Sequence, residues 1–359
     1  QGHSLAVTFR GKLATLGNWE GAAVQHGVPD GVRHRLARWL GDGSRLVVVS
    51  DQGGEETLEI HTVTPPGLGK PRRLEGLDIG RAVTLSVSPK SDHVLISNHR
   101  NELLWVDLEA GVLKQVDRSP FGPIRGEAWS PDGRWAAYSY HVSANRAAIR
   151  LWNAATGKVC NATRPVLRDV GPSFDPGGKY LYFLSTRDFD PVYDNVQFEL
   201  GFPRGVRPYL VTLQKDLPSP FVRTPKPLKK PDSSAKDEKK DEKKEDAALT
   251  IDLEGMPDRV TAFPVPEGRY QRVLGMPGKA LFTSVPPRGS LDHSFFPGEP
   301  AQRARLEAYD LEAREAKTLL ERVSDFDLSR DGTTMAVQVG RRLRVHAAGE
   351  APDASAGTD

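Results

Sequence analysis

Side chains able to do chemistry are thinly spread through this sequence. There is no Gly-x-Ser-x-Gly, no His-Glu-x-x-His, no phosphate-binding glycine loop and no Cys-x-x-Cys. Nucleophilic hydrolysis, zinc hydrolysis and nucleotide binding therefore have no local signature. The nine histidines are scattered, and no two have the spacing of a metal pair on one strand or helix. Each, including His93, His99 and His141, is expected at the surface or in a turn. Ser324 to Gly332 brings acidic residues close to a glycine, but their spacing misses the pattern of oxygen ligands in a calcium loop. The lone Cys160 excludes an internal disulfide framework and is expected to be a small buried hydrophobe in an outer strand. What remains is cationic. Arg33, Arg35, Arg38 and Arg125 could line a charged passage, solvated strand ends being the plainer alternative. No catalytic residue, metal or cofactor is expected.

The elements that would position those arginines come from a repeat. In Trp129 to Tyr140 (WSPDGRWAAYSY) a strand ends, Ser-Pro-Asp-Gly turns the chain and a second strand leaves; Ile149 to Asn153 and the residues after Ala155-Thr156-Gly157-Lys158 supply two more. Proline presets φ for a tight turn, and Asp-Gly tolerates the remaining angles. Copies occur at Arg38 to Ser50, Val87 to Asn98, Phe174 to Ser185 and Leu328 to Val339. The first four turns recur at 48, 42 and 45 residues, counted between Asp42, Lys90, Asp132 and Gly177. That period, with short β-branched or aromatic runs such as LVVVS and YLYFLS, predicts propeller blades. Such runs are nearly continuous in apolar character because both faces of a blade are covered by its neighbours.

Composition suits a large all-β body. With glycine counted and tyrosine left out, the apolar share is about 45 %, within the roughly 45–50 % of ordinary globular chains. Lys plus Arg number 49 against 47 Asp plus Glu, so the basic footprint of nucleic-acid binding is missing. No apolar run reaches the roughly 18 residues of a membrane span, and the start shows no signal-peptide pattern. Residues 1–4 read as a tag or boundary remnant, 5–346 as the propeller and 347–359 as a flexible tail. Between Lys226 and Asp246 there are eight lysines and seven acids with no aromatic or β-branched residue, so 225–248 reads as a disordered charged insertion in blade five.

Seven units follow in order, with a merged six-bladed version as the lesser reading. Leu5 to Gln25 supplies only the second to fourth strands of the first blade, and Asp325 to His346 only three strands of the last. Neither end completes the other, so the ring is expected to lack strand-exchange closure. Small residues, Thr84 and Ser86, Gly126 and Ala128, Gly171 and Ser173, recur where innermost strands should crowd the axis.

Four stretches carry a resemblance: Ser185 to Leu213, Ile251 to Pro287 (IDLEGMPDRVTAFPVPEGRYQRVLGMPGKALFTSVPP), Ala308 to Leu319 and Asp325 to Val345. Together they resemble, in the same order, the second, seven-bladed propeller of the tricorn protease family. The turn copies alone are shared with TolB-like and prolyl-peptidase propellers; the Ile251 to Tyr270 stretch is more specific. The resemblance implies a non-catalytic module of a cytoplasmic serine peptidase that gates peptide substrates and contacts the other domains and subunits of its parent, with neither nucleic acid nor membrane as partner. A stand-alone TolB-like interaction platform is the alternative, and a propeller enzyme with its site at the axis a third.

Overall fold

The computed structural model describes residues 4–17, 21–27, 31–63, 70–188, 190–222, 249–287, 303–329 and 332–351. The charged stretch 225–248 lies outside them. Blade one consists of β1 (Ser4–Phe9), β2 (Lys12–Gly17) and β3 (Val24–His26). Blade two is β4 (His34–Trp39), β5 (Arg45–Ser50), β6 (Thr57–Thr62) and β7 (Arg72–Arg73). Blade three is β8 (Ala82–Val87), β9 (His93–Asn98), β10 (Glu102–Asp107) and β11 (Val112–Arg118). Blade four follows with β12 (Arg125–Trp129), β13 (Trp135–His141), β14 (Ala147–Asn153) and β15 (Val159–Asn161). Blade five opens with β16 (Asp169–Phe174) and β17 (Tyr180–Ser185), leaves the sheet for a separate hairpin of β18 (Val192–Asp194) and β19 (Glu199–Gly201), and ends with β20 (Arg207–Thr212) and β21 (Val260–Ala262). Blade six is β22 (Tyr270–Met276), β23 (Lys279–Ser284), β24 (Ala304–Asp310) and β25 (Glu315–Val323). Blade seven is β26 (Asp325–Leu328), β27 (Thr334–Val339) and β28 (Arg342–Ala347).

Each blade is an antiparallel meander, and the terminal sheets are separate: no strand passes between blades one and seven among the described residues. In blade one the β1–β2 turn meets the next blade, the Gly11 carbonyl accepting from the His34 N–H at 2.8 Å. Ahead of blade five, Ala147 at the start of a third strand donates to the Leu167 carbonyl in the corresponding place, at 2.7 Å. β1 thus stands in second-strand position, and blade one has no innermost strand among the described residues.

Burial follows from the stacking of blades. Every residue of β17 is buried, and five of the six in β5, whereas the outermost β11 is largely exposed. Among the described residues the buried apolar side chains form six layers, each shared by two adjacent blades. The layer between blades two and three holds Val47, Leu58, Ile60, Val94 and Ile96 among others, and that between blades one and two has, among the described residues, only Leu13, Ala37, Leu46 and Val48 as buried members. Burying each such Val or Leu contributes roughly 1.5–3 kcal/mol. At the ends of the array Leu5, Val7 and Phe9 on β1, and Leu343 and Val345 on β28, are exposed.

The repeated turns share one geometry. Gly43, Gly133, Gly178 and Gly332 have φ of +68°, +69°, +69° and +69°. In each the glycine N–H donates to the carbonyl three residues back. A Cβ at Gly133 would stand 2.9 Å from Ser88 Oγ of the preceding blade. Gly133→Val is therefore expected to cost about 1–3 kcal/mol, read as a lowered thermal midpoint; an unchanged midpoint would rule out the strain.

Candidate functional site

The innermost strands all run in the same direction, so their C-terminal ends and the turns after them gather at one mouth of the axis. Val87, Trp129, Phe174, Gly275 and Leu328, one residue from each of blades three to seven, line a cavity of about 280 Å³ there. Pro89, Pro131 and Pro176 add to its rim. The repeat thus places at this opening a mainly apolar collar, in which Ser86, Ser130 and Ser329 are the polar members. Neighbouring inner strands are stitched together beneath it. Trp129 Nε1 donates to the Ser86 carbonyl at 3.3 Å, and the Gly275 N–H to Ser173 Oγ at 3.2 Å.

Toward the opposite mouth the inner strands of blades two to six each carry a bulge where the register shifts, whereas β26 of blade seven pairs without one. Crowding predicts small residues at Gly126 and Gly171; the structure adds a backbone reason, because φ is +72° and +61° there. Leu36 adopts the same conformation at +56° in blade two, where a side chain has to bear it. Thr84 Oγ1 donates across the blade boundary to Glu127 Oε1 at 2.8 Å. Burial pushes the Glu127 carboxyl above its ordinary value, against the lowering pull of hydrogen bonds from Thr84 and Ser97 and the charge of Arg125. The folded state therefore holds this proton more tightly than the unfolded chain does. Its contribution to stability is full below the ordinary carboxylate range and is lost as pH rises through the raised value. Glu127→Gln is expected to flatten that decline and raise the melting midpoint at neutral pH; parallel pH curves for the two proteins would count against it.

Of the four arginines singled out in the sequence, two come together. Arg35 Nη2 donates to both carboxylate oxygens of Glu56, at 2.7 and 2.8 Å, and to the Ala82 carbonyl at 2.8 Å, while Glu56 accepts from the Ala82 N–H at 2.9 Å. This pair holds the first residue of blade three's inner strand by both backbone groups. Arg33 joins through Glu56 at 3.4 Å and Asp51 at 3.5 Å. Arg38 donates to the Ala37 carbonyl at 3.0 Å and takes no part in the cluster. Arg125 is exposed at the start of β12. Between blades six and seven Arg272 plays the stitching role, pairing with Asp325 at 3.0 Å and Asp327 at 3.1 Å. These two aspartates of the Ser324 to Gly332 stretch thus serve a cation of the neighbouring blade.

The excursion from blade five is a hairpin that presents apolar side chains to solvent. Val196 is 84 % and Phe198 74 % exposed, with Tyr193 and Leu200 beside them more than half exposed. Under its base lies a cavity of about 750 Å³, lined by Phe202, Pro203, Val206, Arg269, Tyr270 and Gln271 among others. Arg269 brings a cation to it that sequence reasoning passed over.

Comparison with known proteins decides the family. Residues 1–349 match the family described as the tricorn protease second beta propeller domain. The chain belongs to the tricorn protease family. It is similar to tricorn protease homolog 1 of Streptomyces coelicolor, at 37 % identity over 95 % of this chain and 32 % of that protein. It is also similar to the tricorn protease homolog of Saccharolobus solfataricus, at 33 % identity over 98 % of this chain and 30 % of that one. A crystal structure of the tricorn protease shares the fold with a TM-score of 0.77 at 22 % identity, matching 97 % of this chain and 34 % of that one. The chain thus spans about a third of the curated relatives' length. No helix among the described residues is long and apolar enough to cross a membrane.

This tricorn propeller also corrects the reading of its histidines. His26, His34 and His61 are buried rather than at the surface, and they converge with the buried Glu59 between blades one and two. Glu59 and His61 lie two apart on β6, so the strand's period puts both on one face; that spacing was the available signal. Glu59 Oε2 is 3.3 Å from His34 Nε2 and 3.2 Å from His61 Nε2. Burial pushes the Glu59 carboxyl up, but hydrogen bonds from His34 and His61 lead the opposing effects that hold the group below the usual carboxylate range. Cys160, on the outermost strand of blade four, is half-buried rather than buried, and burial pushes its thiol up.

Proposed function

We propose that this domain is the non-catalytic substrate-access and scaffold propeller of a tricorn-like serine protease acting on peptides in the cytoplasm. The apolar collar formed by Val87, Trp129, Phe174 and Leu328 carries the reading. Such a rim offers unfolded polypeptide apolar contact with few directional hydrogen bonds, which suits admission without sequence selection. Arg125 and the Arg33–Arg35 cluster, at the starts of inner strands, make the opposite end a candidate charged lip of the passage, while Arg38 stands next to the collar end of β4. The β18–β19 hairpin is assigned to contact with further domains or subunits of the protease, because Val196 and Phe198 are large, apolar and exposed.

The test uses a full-length protease bearing this domain. Val87→Trp narrows the collar, and hydrolysis of long unfolded polypeptides is expected to fall while a short fluorogenic peptide is cleaved at the parental rate. Equal rates on both substrates, or an equal fall on both, would overturn a role in access. The exposed hairpin also supports the second reading, a propeller serving as an interaction platform. Under that reading Phe198→Asp would abolish partner capture and leave peptide hydrolysis by the protease untouched.

A further inference from the structure

We infer that His34, Glu59 and His61 form a binding site for a divalent transition metal, zinc first, that clamps blade two at its joint with blade one. Two imidazoles and one carboxylate are a donor set that zinc favours, with a fourth position left for water. The three donor atoms all lie within 4.8 Å of one another, and all three residues are buried. Around a four-coordinate zinc with bonds of about 2.0–2.1 Å, ligand atoms stand roughly 3.3–3.4 Å apart. The distances from Glu59 Oε2 to the two Nε2 atoms, 3.3 and 3.2 Å, fall close to that edge length. They are long for charge-assisted hydrogen bonds, which run at about 2.7–2.9 Å.

A second observation points the same way. Glu59 Oε1 is buried and has no hydrogen-bond partner, and a carboxylate that turns both oxygens to a metal satisfies it. A purely hydrogen-bonded triad in this place would load both imidazoles onto one carboxylate oxygen and leave the other orphaned, an arrangement that buried carboxylates avoid. The location gives such a metal a task. Among the described residues the apolar layer at this joint has only Leu13, Ala37, Leu46 and Val48 as buried members, and His26 of blade one stands with its ring 6.1 Å from that of His61. Its Nε2 is 2.6 Å from Thr15 Oγ1, so the histidine is held toward the site from the blade-one side.

The experiment uses the tag-free chain, stripped with chelator and titrated with cobalt(II) and zinc(II). One equivalent of cobalt is expected to bind with the intense visible bands of four-coordinate geometry, to be displaced by zinc, and to raise the melting midpoint reversibly with respect to EDTA. His61→Asn and Glu59→Gln are each expected to weaken binding by more than about a hundredfold, beyond what losing a group that only orients a ligand costs. His93→Asn, outside the cluster, should bind as the parent does. Absence of stoichiometric binding by the unmodified chain overturns the assignment, whatever the variants' folding. So does a His61→Asn variant that is folded and keeps its affinity within threefold, or an equal loss in His93→Asn.

Discussion

Replacing Asp169 by alanine is expected to lower the free energy of unfolding by about 3–5 kcal/mol, the cost of stranding a buried charge by removing its partner. Asp169 is fully buried at the first position of β16. Its carboxylate accepts from Ser185 Oγ at 2.6 Å, Thr163 Oγ1 at 2.5 Å and Arg187 Nη2 at 2.5 Å. Its own backbone carbonyl accepts from Ser139 Oγ of blade four at 2.7 Å. The side chain thus ties the end of β17 and the connection from blade four to one point at the head of an inner strand. Arg187 packs near the rings of Phe183 and Tyr209, so without Asp169 its charge is left in a poorly solvated place. Denaturant unfolding measures the change through the transition midpoint, with the slope unchanged. Asp169→Asn keeps the shape and the acceptor and should fall between the two. A loss under 1 kcal/mol in the alanine variant would show that the network is not worth what its burial suggests.

Phe263→Ala is expected to cost a similar amount, about 3–5 kcal/mol, because it empties a well-packed site that surrounding rings cannot refill. Phe263 is 1 % exposed, with ring centroids of Phe221, Tyr309, Tyr182 and Phe282 at 5.0, 5.2, 6.0 and 6.2 Å. These partners come from blades five and six, so one side chain joins two sheets. Its backbone N–H donates to the Pro208 carbonyl at 3.0 Å, extending the β20–β21 pairing. Limited proteolysis adds a second readout. The variant should release the segment after residue 249 more readily than the parent, and equal protection would refute its role as an anchor.

The turn chemistry made most of the architecture legible. Pro-Asp-Gly and its variants need particular backbone angles wherever they occur, so Gly43, Gly133, Gly178 and Gly332 announced their blades before any contact was known. The three strands that the described residues give to the first and last blades were also readable, because the sequence shows three apolar or alternating runs in each. The hairpin at Val192–Gly201 was not. Its apolar residues are exposed, and exposure is set by what the remainder of the fold leaves uncovered. The meeting of His26, His34, Glu59 and His61 was hidden for a different reason: they lie on three strands in two blades, and pairing across a blade boundary has no period along the chain. The same holds for Arg35, whose partners Glu56 and Ala82 are 21 and 47 residues away. Inner-strand glycines fell in between. Their size was noticed and attributed to crowding, while the left-handed backbone that demands them became visible only with the bulges in place.

A circle of blades in which two neighbours share no strand is, energetically, a row. With six apolar layers for seven sheets among the described residues, the free energy is a sum of single-sheet and nearest-neighbour terms, and the terminal members enjoy one neighbour where the others enjoy two. Fraying therefore begins at the extremities and moves inward. The thinnest joint, at Leu13, Ala37, Leu46 and Val48, is the one at which a blade can peel away while its six companions stay folded.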